Sequence, residues 1–390
     1  MRILWASPLP PVRSGVADYA VELLPALQRH ADVRVVAPPD GSGPGAGTSL
    51  AGCPVVPTSE VPMDHEIQVI HLGNNPHHRW LIDRLAMPRT SVVLHDAVLH
   101  HLLVESSLAV GNERRFEGYL LDAHPDAEAL VAARRFGVTG RRDPFLFPAR
   151  RAFLQGVESV VVHSAWAAEA VSRDLPELPV AVVNLTVADP GAVDRAALRE
   201  RLGVRPDEVL MMHLGYLTPD KGLHDVLSGL SVARRMGGAA RLMIVGEGEE
   251  HTVLHDAVDS LGLTPWVRFS GWVEPEEFCM LPAAADLGVV LRSPSAGETS
   301  AAVLRFLACG TPVAVTGLHQ FLEWPEMAAP RITPGRSAGP DLARLLLDVA
   351  DTDSWRRRRR EARATYQGGH TPEIAARQLV EALRRTTAGR

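Results

Sequence analysis

Short apolar runs of strand character alternate with segments of helical period along most of this chain, and that alternation admits few architectures. Arg2-Ile-Leu-Trp-Ala6 is strand-like, Ser7 to Gly15 carries the breakers Pro8, Pro10, Pro11 and Gly15, and Val16 to His30 sets Val16, Tyr19, Leu23, Leu24 and Leu27 at helical spacing. Further strands are expected at Val33–Val36, Ile67–His71, Ser91–His95, Ser159–His163 and Val180–Asn184. Parallel strands can be joined only by a crossover, so strand-helix alternation is the pattern of a parallel α/β sheet. The pattern breaks at Asn184 to Asp194 and restarts with Val209–Leu214, Arg241–Val245, Val267–Phe269, Asp286–Leu291 and Pro312–Val315. Two halves are therefore expected, 1–187 and 188–370, with a capped amphipathic helix (Ala375, Leu379, Leu383) in 371–390. Residues 38–50 read as a Gly/Pro/Ser surface loop, and residues 100–155 as a largely helical insert.

Composition narrows the function classes. The 390 residues are 46% apolar and 22% charged, which is ordinary for a globular protein, and the net charge of -6 speaks against nucleic acid as a partner. Cys53, Cys279 and Cys309 lie far apart with no CxxC, as expected of reduced thiols in a cytoplasm. The start is too short an apolar run for a signal peptide, and no stretch approaches the length of a membrane-spanning helix. Of the 40 lysines and arginines only one is a lysine, Lys221. A compact ammonium on a flexible stem and a planar guanidinium are not interchangeable, so a lone lysine is either a position where arginine does not serve or a chance survivor.

Open parallel sheets bind ligands beyond the carboxyl ends of their strands, so the loops there are where chemistry is sought. Gly215-Tyr-Leu-Thr-Pro-Asp-Lys221-Gly222 follows a strand and opens a helix at His224, the context of an anion site: a glycine turn, a cation and exposed helix N–H groups. It lacks the order of a Walker loop. Gly297-Glu-Thr-Ser300 also follows a strand and opens a helix, where Thr299 and Ser300 suit phosphate oxygens as well as plain capping. Among the 16 histidines, His71, His77, His78, His95, His100 and His101 crowd together, but no ligand spacing for a metal is present and none is assigned. His95 ends a strand and points to the expected cleft, and His163 stands second on the same ground. Asp351-Thr-Asp353 is read as a helix cap rather than a metal motif, Arg356 to Arg360 as a run wrapping right round a solvated helix, and Trp80 and Trp166 as core.

Gly215…Lys221-Gly222, Gly246-Glu-Gly248, Phe269-Ser-Gly271, Ala285-Asp286 and Gly310-Thr-Pro-Val313 together resemble the donor-domain motifs of retaining glycosyltransferases of family four. The resemblance implies a GT-B fold of two Rossmann-like domains facing across a cleft, the first on the acceptor side, the second binding a nucleotide-diphosphate sugar, with the C-terminal helix crossing back to the first. A narrower likeness, to bacterial mannosyltransferase-type enzymes of polysaccharide assembly, rests on Ser7-Pro-Leu-Pro-Pro11…Gly15-Val-Ala-Asp-Tyr19, Leu72-Gly-Asn-Asn75, Val92-Val-Leu-His-Asp96 and Gly297-Glu-Thr-Ser300. It implies Lys221 on the donor diphosphate, Gly15 close to the same group, and His95 at the sugar and reacting centre. Gly271 opens the base-reading loop, and Glu298, Thr299 and Ser300 complete the donor site. Asn74, Asn75, Asp96 and His163 fall on the acceptor side. Two departures stand out. Tyr216 occupies the place after the first donor glycine where the family commonly has Arg, and the usual Glu-x7-Glu pair falls on Gly297 and Arg305, with Glu298 one place off. Arg305 is left as a helix-face arginine.

The implied chemistry is transfer of a hexose-type sugar, with GDP-mannose favoured, to a hydroxyl of a sugar, an aminocyclitol or a lipid-linked glycan. No cofactor or metal is expected, and membrane association is peripheral at most. Front-face attack needs no covalent nucleophile: Lys221 and helix N–H groups stabilise the leaving diphosphate, and His95 holds a sugar hydroxyl or the peptide framework around it. The alternatives on the same scaffold are a non-catalytic auxiliary protein and a nucleotide-sugar epimerase or phosphorylase.

Overall fold

The structure, a computed structural model, describes residues 1–63, 66–140, 142–349 and 352–388. Asp351 of the Asp351-Thr-Asp353 triplet and the last two residues of the expected segment 371–390 lie outside them. The chain forms two compact units. One comprises Met1–Thr186, Ala296–Thr299 and Pro372–Arg390; the other comprises Val187–Ser295 and Ser300–Thr371.

The first unit is built on eight strands: β1 (Arg2–Ala6), β2 (Asp32–Val36), β3 (Ser49–Leu50), β4 (Cys53–Val56), β5 (Glu66–Leu72), β6 (Thr90–Leu94), β7 (Ser159–Val162) and β8 (Val180–Val182). Their order is β3-β4-β2-β1-β5-β6-β7-β8, parallel throughout except for the β3–β4 hairpin. Every residue of β5 is buried, as in a parallel sheet covered on both faces. Its buried Glu66 is matched by Arg2 at 3.5 Å and by Arg34. The helix Gly15–Leu27 starts where Ser14 Oγ accepts from the Val16 amide, and buries Ala17, Tyr19, Ala20, Leu23, Leu24 and Leu27. The C-terminal helix Pro372–Ala388 packs on it, and Glu373 bonds both Arg29 and His30. β3 takes the last two residues of the loop expected at 38–50 and β4 was not expected, because two- and four-residue strands are too short to show a period. Residues 100–155 are helical, with pieces at His100–Ser106, Glu113–Ala123, Glu128–Arg135 and Arg150–Leu154.

The second unit has six strands: β9 (Val209–Leu214), β10 (Ala240–Val245), β11 (Val267–Gly271), β12 (Leu287–Val290), β13 (Val313–Thr316) and β14 (Arg331–Ile332). All are parallel, in the order β11-β10-β9-β12-β13-β14. This is the doubly wound order, and it reverses between β9 and β12, the topological switch point. Asp286, at the root of β12, ties the layers: it accepts from Arg195, Arg199 and the Leu210 amide. Phe306 of the helix Ala301–Ala308 lies against β12 at Gly288, where an added Cβ would stand 2.5 Å from its ring. The arginine run sits in the helix Thr352–Gly369 and does wrap round it. Arg356 and Arg360 are exposed, Arg358 covers the Trp355 ring, and Arg359 donates to Ala285 O.

Candidate functional site

In the first unit the order reverses between β1 and β5, and the carboxyl ends of the strands there carry rings in contact. Trp5 is the penultimate residue of β1 and its Nε1 donates to Ser7 Oγ at 2.7 Å; its ring lies 3.8 Å from that of His71, centroid to centroid. Tyr19 from the following helix meets His71, His95 and His163 at 5.6, 5.2 and 5.8 Å. His71 Nδ1 and His95 Nε2 share a hydrogen bond of 3.0 Å, and His163 Nδ1 donates to Val183 O at 2.8 Å. His71 is fully buried, and burial, followed by the nearness of His163 and His78, holds it well below the ordinary histidine range. Burial and the neighbouring His163, His71 and His78 do the same to His95, so this pair is neutral at neutral pH. A neutral imidazole donates from one nitrogen only, so the shared proton couples the tautomers of the two rings.

The asparagines expected on the acceptor side, Asn74 and Asn75, organise the loop after β5. The Asn74 side chain accepts from the Leu102 amide at 3.1 Å and meets His101 Nδ1 at 2.9 Å, and its backbone N–H donates to Asp96 Oδ2 at 2.7 Å. Asn75 caps the turn Pro76–Arg84 by accepting from the His77 amide. Asn74 and Asp96 thus lock the loop after β5 to the segment after β6. Gly73 is required there: an added Cβ would lie 2.7 Å from His78 Nε2 and 3.1 Å from Asp96 Oδ2.

The segment Gly297-Glu-Thr-Ser300 is divided. Expected as a phosphate-type helix start of the donor half, its first part instead belongs to the first unit. Ala296 O accepts from the Val98 amide, Thr299 Oγ1 donates to His163 O, and Gly297, at φ +75°, is wedged so that a Cβ would lie 2.3 Å from the Trp166 ring. Glu298 and Thr299 therefore fall in the first unit, Thr299 bonded to His163, while Ser300 starts the helix Ala301–Ala308 in the second unit without a side-chain capping bond. Sequence spacing could not show this, since both halves of the segment precede the same helix. Gly15 opens its helix with open space around its Cα.

In the second unit the loop after β9 runs past Gly215 (φ +123°) to a turn Pro219–Lys221, and Gly222 (φ +62°) starts the helix Leu223–Arg235. Lys221 Nζ lies 3.9 Å from Asp220 Oδ2, and Arg292 Nε lies 3.8 Å from the same oxygen. Burial pushes the Asp220 carboxyl up, but Lys221, a hydrogen bond from Thr218 and Arg292 outweigh it and hold Asp220 below the usual carboxylate range. His213, inside β9, is pushed down to about 3 by burial and then by Lys221 and Arg292; its Nδ1 donates to Val289 O. Tyr216 is about half exposed, Gly271 (φ +67°) bridges Gly246, and Trp272 N–H donates to Glu247 Oε1. Arg305 is buried, with Nη1 bonded to Cys279 Sγ at 3.0 Å. Arg292, Asp220 and His213 were missed by the sequence reading. Arg292 lies two residues past β12, against one past β6 for His95, so a strand-end rule widened by one residue would have found it.

Residues 194–323 match the model of the glycosyl transferases group 1 family. The match covers 130 of the 390 residues. It contains β9 to β13, Lys221 and Arg292. Lipopolysaccharide core biosynthesis glycosyltransferase LpsE of Rhizobium meliloti is 30% identical over 172 residues, 44% of this chain and 47% of LpsE. The chain thus spans less than half the length of the curated relatives it matches. Over its whole length it shares the fold of sucrose-phosphate synthase from Thermosynechococcus elongatus (TM-score 0.71, 17% identity, all of both chains). It also shares that of Anabaena HepE, solved in complex with UDP-glucose (TM-score 0.66, 17% identity, 99% of this chain and all of HepE). The fold is GT-B: two parallel-sheet α/β units. Among the described residues no group of three His, Cys, Asp or Glu side chains is arranged to hold a metal ion, and no helix is long and apolar enough to cross a membrane.

Proposed function

We propose that this protein is a retaining glycosyltransferase that moves a hexose-type sugar from a nucleotide-diphosphate sugar to a hydroxyl of a small-molecule or lipid-linked glycan acceptor. The observation that carries the reading is that the matched residues 194–323 enclose the loop after β9, whose Lys221 is the one lysine of the chain and lies beside the half-buried Asp220 carboxylate at the switch point. GDP-mannose is the donor that the sequence resemblance favours; HepE, which shares the fold, was solved with UDP-glucose. In the reaction the bond from the anomeric carbon to the leaving phosphate oxygen breaks, the acceptor oxygen bonds the same face, and its proton passes to the departing phosphate oxygen. Lys221 stabilises the charge that builds on the diphosphate. His95, neutral and held by His71, keeps a sugar hydroxyl or the peptide framework in place. The chain's own cations do this work, so the reaction proceeds without a metal. The three free cysteines fit a cytoplasmic enzyme.

Calorimetric titration of GDP, UDP, ADP and dTDP into wild type and Lys221→Ala, with EDTA present, tests the reading. Binding of one nucleotide, weakened at least tenfold in the variant, is expected. Failure of all four to bind wild type would refute the donor site and leave a non-catalytic scaffold.

A further inference from the structure

β5 and β6 are neighbours in the first sheet, and their carboxyl ends bring His71 Nδ1 and His95 Nε2 to 3.0 Å. The His71 ring is fixed from several sides. Trp5 covers it at 3.8 Å between centroids, and His78 donates from Nδ1 to the His71 carbonyl at 3.0 Å. His71 Nε2 is buried and has no hydrogen-bond partner among the described residues. His95 is only half-buried, and among the described residues its ring is hydrogen-bonded through Nε2 alone. Burial keeps both rings neutral, so each carries one proton, and one of the two protons lies in the shared bond.

That proton can sit in two ways. If His95 donates, the proton of His71 has to be on Nε2, where it is an N–H stranded in the interior. If His71 donates, its Nε2 is a bare acceptor instead. Proteins tolerate an acceptor short of a donor better than a buried N–H short of an acceptor. This chain makes the same choice at two other buried histidines. His78 and His213 both donate from Nδ1 to a carbonyl oxygen, which puts their proton on Nδ1. Each then leaves Nε2 buried, with no hydrogen-bond partner among the described residues.

We propose that His71 is a positioning residue that donates its Nδ1 proton to His95 and so fixes His95 as the Nδ1–H tautomer. The proposal rests on the reading that His95 acts at the sugar. With Nε2 accepting from His71 and Nδ1 protonated, His95 has no free lone pair. It can donate to a sugar oxygen but cannot take the proton of the attacking hydroxyl. That proton therefore leaves with the departing phosphate oxygen, while the anomeric carbon exchanges its bond to phosphate for one to the acceptor oxygen. His71 thus makes His95 a holder of the sugar rather than a base.

Long-range proton–nitrogen NMR of histidine-labelled protein reads the protonated nitrogen directly and needs no substrate, with the signals assigned by their loss in His95→Ala and His71→Asn. Wild type should show both rings protonated on Nδ1. His71→Asn keeps an N–H donor close to the same place and should keep the His95 tautomer, whereas His71→Leu should shift it toward Nε2–H. A wild-type His95 protonated on Nε2 would overturn the proposal, and so would a tautomer unchanged in His71→Leu. Turnover is read as release of UDP or GDP from UDP-glucose or GDP-mannose. His71→Leu should lower kcat about tenfold or more with nucleotide Kd within about twofold, and His71→Asn should recover most of the loss. Equal losses in the two variants would reduce His71 to packing. If His71→Leu does not fold, the wild-type spectrum still decides the tautomer. Wild type with the expected tautomer that releases no nucleotide from either donor would instead sink the glycosyltransferase reading and leave the histidine pair standing.

Discussion

Gly246→Ala and Gly262→Ala replace two glycines of positive φ in the same unit, yet they should behave very differently. Gly262 sits at φ +66° with nothing within 4 Å of an added Cβ, so its substitution costs only the strain of a left-handed backbone, about 1 kcal/mol. Gly246 sits at φ +134°, and its added Cβ would lie 2.1 Å from Gly215 O and 2.9 Å from Gly215 C. Ordinary contact is more than 1 Å longer, and the atoms met are backbone, which no rotamer change can move aside. Either β10 or the start of the Lys221 loop has to shift, at a total cost of about 3–5 kcal/mol, the range of severe packing faults. Equilibrium urea unfolding measures both variants on one scale, with Gly262→Ala as the internal reference. Nucleotide titration should show that only Gly246→Ala also weakens binding, because Gly215 begins the loop that carries Lys221. Destabilisation of the two variants to within 1 kcal/mol of each other would refute the steric argument.

His95→Ala should leave nucleotide-diphosphate affinity within twofold and lower kcat by tenfold or more if, as proposed, the residue acts on the sugar side; full transfer by the variant would remove His95 from the site. His78 is fully buried and pushed down to about 4, chiefly by burial. Its folded-state pKa lies below its unfolded value of 6.5, so the unfolded chain takes up the proton first and stability is lost as pH falls below 6.5. At pH 5 that amounts to about 2 kcal/mol from His78 alone. Urea unfolding at pH 7.5 and 5.0 should therefore show a smaller acid loss for His78→Gln than for wild type, and equal losses would contradict the burial argument.

The two-sheet plan was legible because parallel strands are written as apolar runs spaced by crossovers. β9 was expected at Val209–Leu214, where it stands, and most other boundaries moved by one or two residues. β3 and β4 were invisible, since strands of two and four residues carry no period. Lys221 was legible for a compositional reason, its being alone in its kind, and His95 because it ends a strand.

Which residues meet was decided by the tertiary structure. Register along β5 buries His71 and brings it within 3.0 Å of His95, a pairing across 24 positions that no local pattern encodes. The reversal between β9 and β12 sets Arg292 against the same carboxylate as Lys221, although 71 positions separate them. Gly297 to Thr299 leave the helix they precede and join the other unit, held by Trp166 and His163. Local sequence dictates the elements, because propensity and period act over a turn or a strand. The site depends on strand order and long-range contacts, which arise only when the sheets assemble.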